Sequence, residues 1–140
     1  MPIDAILFDL DDTLIVDEAV SKEALQSTAQ LAVKLAGVDT VAFLADCKRF
    51  GFSLWKDGPC YDYVRSIGIS YHECLWGNFD GDKPELVKLR EWAHPYRVSV
   101  FNAVLRSQHI TDEDSAEKLA AHFSQSRRRL QRLMPDAVET

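Results

Sequence analysis

Apolar positions recur at helical spacing along most of the chain, and only the first ten residues depart from it. Residues 3–10, Ile-Asp-Ala-Ile-Leu-Phe-Asp-Leu, form a short apolar run closed by acids. Ile6, Leu7 and Phe8 are contiguous, the pattern of a strand covered on both faces in a parallel sheet. From Asp17 the period becomes helical. Val20, Ala24, Leu25, Leu31, Ala32 and Leu35 keep one stripe, with Asp17 placed to cap its start and Gly37 to stop it. Asp39 caps a second helix through Val41, Phe43, Leu44 and Cys47, ended by Gly51. Pro59 opens a short helix that ends at Gly68, and Ser70 to Trp76 adds a turn or two. Pro84 opens a helix carrying Leu86, Val87, Leu89 and Trp92, and Pro95 opens another with Val98, Phe101, Val104 and Leu105. Asp112 caps the last long helix, whose stripe runs from Ala116 through Leu119, Phe123 and Leu130 to Leu133 before Pro135 breaks it. Residues 136–140 read as the first turn of one more.

A lone strand of buried type is a physical problem, because its backbone groups and both its faces need cover. The chain shows no second strand to supply it. The expectation is that residues 3–8 pair with a second copy, pack between helices or drive aggregation. The helical part, from about residue 17 to 133, orders by itself.

Composition narrows the class. The chain has 140 residues, 46% apolar and 27% charged, which suits one domain and excludes wholesale disorder. No apolar window reaches the ~18 residues of a membrane span, so no membrane partner is expected. Asp4 interrupts the first apolar run before a signal-peptide cleavage site could follow. Lys and Arg number 16 against 22 Asp and Glu, a net charge of −6, which argues against a nucleic-acid partner. The charge is polarised. Residues 1–18 hold six acids and no Lys or Arg, whereas residues 124–134 hold Arg127, Arg128, Arg129 and Arg132 and no acid. That arginine run reads as a solvated helix face, with contact to an anionic substrate as the alternative. Cys47, Cys60 and Cys74 form no CxxC pair and read as ordinary buried thiols of a cytoplasmic protein. His72, His94, His109 and His122 show no metal-ligand spacing.

The segment that carries chemistry is Ala5-Ile-Leu-Phe-Asp9-Leu-Asp11-Asp12-Thr13-Leu14-Ile15. An apolar strand delivers Asp9 to its C-terminal end, where open α/β sheets bind ligands. Asp11 follows two residues later, so in extended backbone both carboxylates project to one side. Two such carboxylates repel, and a hard Mg²⁺ ion with oxygen ligands relieves the conflict and also holds phosphate. Asp12 reads as a turn residue or a helix cap.

A strand followed by D-x-D-x-T resembles the first motif of the haloacid dehalogenase superfamily. The resemblance implies an α/β, Rossmannoid family fold, of which this chain is mostly α: one core strand plus a helical cap. It implies Asp9 as nucleophile, Asp11 as general acid and base, and Thr13 as support for the phosphate loop. Mg²⁺ would be held by the Asp9 carboxylate and the Asp11 backbone carbonyl. A carboxylate nucleophile splits one displacement into two, and the second Asp supplies the proton that an alkoxide leaving group needs and a halide does not. The implied activity is Mg-dependent hydrolysis of a small phosphorylated metabolite through an aspartyl-phosphate. Tyr71-His72, Trp76-Gly77, Arg97 and the terminal arginine-rich helix are similar to capped members of the superfamily. The implied organisation is residues 1–15 as first core strand and catalytic loop, 16–133 as helical cap, and 134–140 as the start of the next core helix. The family's later motifs, a Ser or Thr, a Lys and an acidic pair, find no counterpart here. Gly81-Asp82-Lys83-Pro84 reads as a surface helix start, and Ser70 follows too poor a strand to be the phosphate-binding Ser. The chain is therefore expected to be an N-terminal portion, inactive alone. The reading from a different class is a non-catalytic helical binding module.

Overall fold

The computed structural model describes residues 3–138. Four long helices form the body: α1 (Glu18–Ala36), α2 (Thr40–Lys56), α5 (Pro84–Ser107) and α6 (Glu113–Arg129), with two short ones, α3 (Tyr61–Ile67) and α4 (Tyr71–Cys74), in the connection between α2 and α5. α1 packs on α6, α6 on α5 and α5 on α2, while α2 returns to α1. The ring closes on an apolar centre in which Phe101 lies between Phe43, 6.1 Å away, and Phe123, 6.4 Å away. Leu89, Val100, Val104 and Leu119 complete it, all fully buried. Each long helix presents one apolar stripe, and burying those four stripes together is what holds the bundle.

Local signals agree with this arrangement at most ends. Gly37 and Gly68 end α1 and α3 with φ of 65° and 80°, a left-handed conformation in which a Cβ is unfavourable. Asp39 and Asp112 accept the backbone N–H of Ala42 and Ser115 and so cap α2 and α6. Ser70 and Glu73 form a reciprocal capping box on α4. Pro84 opens α5 after Lys83, as the surface-helix reading required. Cys47, Cys60 and Cys74 are free and buried, and burial pushes the Cys74 thiol up to about 12.

Four expectations are corrected. First, residues 3–10 form no strand. Among the described residues no other segment pairs with residues 3–9, and a strand exists only through its ladder. Their side chains lie open: Leu7 is 96% exposed, and Ile3, Ile6, Phe8 and Leu10 are more than half exposed. Second, Gly51 does not end α2. It is buried inside the helix, and a Cβ there would come within 3.0 Å of the Tyr71 ring. The glycine is a close-approach residue, and the Tyr96 hydroxyl donates to its carbonyl at 2.8 Å. Third, Pro95 starts no new helix but sits within α5. Glu91, whose carbonyl loses its helical partner, and Pro95 itself are both exposed to solvent, which lessens the cost of a proline inside a helix. Fourth, α6 stops at Arg129, before Leu133. Leu133 instead bridges to Ile15. Residues 135–138 make a turn, with the Ala137 N–H donating to the Met134 carbonyl at 3.1 Å. Glu139 and Thr140 lie outside the described residues.

The ends of the bundle are tied together. The Val16 N–H donates to the Arg132 carbonyl and the Met134 N–H to the Leu14 carbonyl, both at 2.9 Å. The segment leading into α1 and the segment leaving α6 thus run side by side and antiparallel, which places the Asp9–Thr13 loop at this end of the bundle.

Candidate active site

The loop between residues 9 and 17 is built from its own backbone. The Leu10 carbonyl accepts the N–H groups of Leu14 at 2.9 Å and Ile15 at 3.0 Å, and the Asp12 N–H donates to the Ile15 carbonyl at 2.8 Å. Closing so tight a loop puts Asp12 at a φ of 54°, which Asp tolerates better than most residues. Its carboxylate then accepts the N–H of Asp17 at 2.8 Å and of Glu18 at 3.2 Å. Asp12 is therefore both a turn residue and the cap of α1.

That leaves Asp17 free for another task. It occupies the N-cap position of α1 but makes no capping bond with its side chain, which pairs instead with Arg127 of α6. Arg127 is completely buried. Its Nε donates to Ser21 Oγ at 2.8 Å, and its guanidinium carbon lies 4.4 Å from the Trp76 ring centre. Nη1 has no hydrogen-bond partner among the described residues. The expected solvated arginine face is thus corrected at its first residue. Asp17 and Ser21 recruit Arg127 inward, and burying a guanidinium is tolerable only with such partners. Arg128 also turns in, donating to the Trp76 carbonyl at 2.6 Å and to Asn78 Oδ1 at 2.9 Å. Arg132 pairs with Glu23 at 3.3 Å, and Arg129 is exposed and enters none of the ion pairs among the described residues.

The motif residues end up together at the exposed tip. The Thr13 hydroxyl reaches Asp9 Oδ2 at 3.4 Å, a long contact that nevertheless sets Thr13 beside the expected nucleophile. Asp11 sits above the ordinary carboxylate range. Withdrawal from water is the largest cause, and the charges of Asp17, Glu73, Asp9 and Asp12 add to it. Among the described residues no three His, Cys, Asp or Glu side chains converge on one point. Asp9 and Asp11 offer hard oxygen donors, and the repulsion written into Asp11 is of the kind a divalent cation relieves.

A cleft of about 560 Å³ opens beside this loop, between α1, α2 and α4. Leu25, Leu44, Leu75 and Phe123 line its apolar side, while Ser21, Lys22, Lys48 and His72 supply polar groups. Asp17 and Glu18 edge it at the loop end. Lys22 and Lys48 enter none of the ion pairs among the described residues. The His72 ring lies 4.0 Å from that of Tyr71. Its proton affinity is lowered chiefly by withdrawal from water, against the attraction of Asp17. Sequence reading did not assemble this set. Ser21 and Lys22 sit one helical turn into α1, but nothing in the chain's pattern links them to Lys48 or His72. His94 and His122, by contrast, make ordinary contacts, with Glu117 at 3.6 Å and Ser27 at 2.9 Å. No single helix among the described residues is long and apolar enough to cross a membrane.

Among known proteins, the chain is similar to a phosphoserine phosphatase of Thermus thermophilus. The two are 36% identical over 123 residues, which is 88% of this chain and 46% of that enzyme. The chain thus spans a little under half the length of this curated relative. No protein-family model matches the sequence, and no solved structure matches it.

Proposed function

We propose that the chain is the nucleophile loop and helical cap of a Mg-dependent phosphatase of the haloacid dehalogenase type, acting on a small phosphorylated metabolite. The observation that carries the reading is the tip itself: Asp9 beside the Thr13 hydroxyl, with Asp11 two residues on and more proton-retentive than an ordinary carboxylate. The similarity to a phosphoserine phosphatase over 88% of the chain supports it.

In this reading Asp9 attacks phosphorus, the ester P–O bond breaks, and Asp11 gives its proton to the departing alkoxide. Water then attacks the aspartyl-phosphate, Asp11 takes back a proton, and phosphate leaves. A raised proton affinity suits Asp11 to the first of these steps. Asp9 and Asp11 would hold Mg²⁺, which when bound offsets the charge on the phosphoryl oxygens. The cleft beside the loop receives the alcohol side of the substrate, with phosphoserine as the first candidate by similarity and Lys22 and Lys48 facing its carboxylate. Helices that cover a nucleophile are half of such a site. The open apolar segment 3–10 is the strand that an α/β core would pair.

The test is hydrolysis of O-phosphoserine and of an aryl phosphate with Mg²⁺ by the natively expressed protein, after its intact mass is recorded. Turnover that disappears in Asp9→Asn and falls about 10²–10⁴-fold in Asp11→Asn is expected. Turnover that persists in Asp9→Asn overturns the mechanism. Absence of any turnover from a species whose intact mass exceeds the 15.9 kDa of these 140 residues favours the non-catalytic helical module.

A further inference from the structure

A second basic site lies on the far side of the 76–81 connection, and it shares no lining residue with the cleft beside the catalytic loop. Arg90, His94 and Arg97 sit at i, i+4 and i+7 on α5, hence on one face. With Asn78 and Asp80 they line a pocket of about 350 Å³. Both guanidiniums are held in place by neutral carbonyls. Arg90 Nη1 donates to the Phe79 carbonyl at 2.9 Å, and Arg97 donates through Nε to the Cys74 carbonyl at 2.9 Å and through Nη2 to the Gly77 carbonyl. Arg128 approaches the same connection from α6 through the Trp76 carbonyl.

These bonds satisfy donor geometry but cancel no charge. None of the three guanidiniums lies within ion-pair distance of a carboxylate among the described residues. Asp80 is the one acid in the lining and pairs with neither arginine. Arg97 feels the result, since burial and the charge of Arg128 both weaken its hold on its proton. Glu117 reaches His94 alone, at 3.6 Å, and leaves Arg90, Arg97 and Arg128 without a paired carboxylate among the described residues. A guanidinium has five N–H groups, and those left over, on Arg90 Nε and Nη2 and on Arg97 Nη1, make no bond among the described residues.

We infer that the Arg90–His94–Arg97 pocket is an oxyanion site that takes a phosphate group, as free inorganic phosphate or as the phosphate of a small metabolite. Paired guanidiniums with preset orientation and spare donors are the arrangement that binds phosphate bidentately. The inference stands apart from the phosphatase reading, because none of its residues belongs to the loop or its cleft.

The experiment is a ¹⁵N-correlation titration of the 140-residue protein in EDTA, at constant ionic strength balanced with chloride. One arm uses inorganic phosphate and the other glycerol 3-phosphate. Saturable shifts are expected at the amides of Gly77, Asn78, His94 and Arg97 and at the Nε–H of Arg90 and Arg97, with Ser21, Lys48 and His72 unmoved. A monoester that binds more tightly than phosphate identifies a metabolite as ligand, and equal affinities identify the free anion. Arg90→Gln and Arg97→Gln should each weaken binding by about tenfold or more. Should Arg97→Gln unfold by circular dichroism, the shift map and Arg90→Gln decide. Shifts that do not saturate, that chloride reproduces, or that fall on the catalytic loop overturn the site, as does unchanged affinity in Arg90→Gln.

Discussion

Residues 3–10 and the bundle from Glu18 to Arg129 are both rich in apolar side chains, yet one part packs and the other lies open. The bundle satisfies its backbone within each helix, so its four stripes need only find one another. Residues 3–10 carry the pattern of a strand, whose hydrogen bonds must come from a neighbour. The described chain has no such neighbour, and the segment stays open despite Ile6, Leu7 and Phe8. Apolar content does not decide which segment orders. What decides it is whether the backbone can be satisfied locally.

The sharpest test of that contrast is a pair of phenylalanines. Phe101→Ala, inside the Phe43–Phe123 stack, should lower stability by about 3–5 kcal/mol in urea unfolding. Phe8→Ala should change it by less than about 0.5 kcal/mol. Amides of residues 3–9 should exchange at nearly free rates while those of α5 and α6 are protected. Protection of residues 3–9 in a monomer would break the comparison.

The next largest effect lies where the two regions join. Arg127→Leu leaves Asp17 without its partner and should cost about 3 kcal/mol, the low end for a broken buried pair because Asp17 is partly solvated. Adding Asp17→Leu should recover part of that loss, since removing both charges of a buried pair is often nearly neutral. No recovery in the double variant would mean that the guanidinium acts through packing on Trp76 rather than through charge.

A smaller loss should follow from Asp12. Asp12→Ala removes the acceptor of the first N–H groups of α1 and should cost about 1 kcal/mol. Asp12→Asn should cost less, because Asn still caps and tolerates a positive φ. Equal losses in the two variants would argue against capping.

The smallest effect has the opposite sign. The folded chain holds Asp11 above its ordinary 3.8, so it binds that proton more tightly than the unfolded chain does. The linked stability is fully present below 3.8 and is lost as pH rises through the raised value. Asp11→Asn should therefore raise the melting temperature slightly at pH 7 and leave it unchanged below 3.8. A variant less stable than the parent at pH 7 would show that ionised Asp11 contributes to the fold.

Legibility followed the range of the forces involved. Helix starts at Asp39, Ser70 and Asp112 and stops at Gly37 and Gly68 were readable because capping and left-handed turns act over three or four residues. Gly51 and Pro95 carry the same local signals but lie within helices. Tyr71 and Tyr96 hold Gly51 within α2, and solvent at Glu91 and Pro95 makes an unpaired carbonyl harmless. Asp17 shows the same limit. Its spacing suggests a cap, but Arg127, 110 residues away, takes its carboxylate while Asp12 does the capping.

The sequence alone determined the helical class, most helix ends and the D-x-D-x-T spacing of the tip, because periodicity, capping and motif spacing are all short-range. Only the tertiary structure decided that Arg127 is buried, that Lys22, Lys48 and His72 share a cleft, and that Arg90 and Arg97 face one pocket with no carboxylate paired to either among the described residues. Those arrangements depend on how α1, α2, α5 and α6 rotate against one another. That rotation is fixed by the fit of whole apolar faces, which no short stretch of the chain encodes.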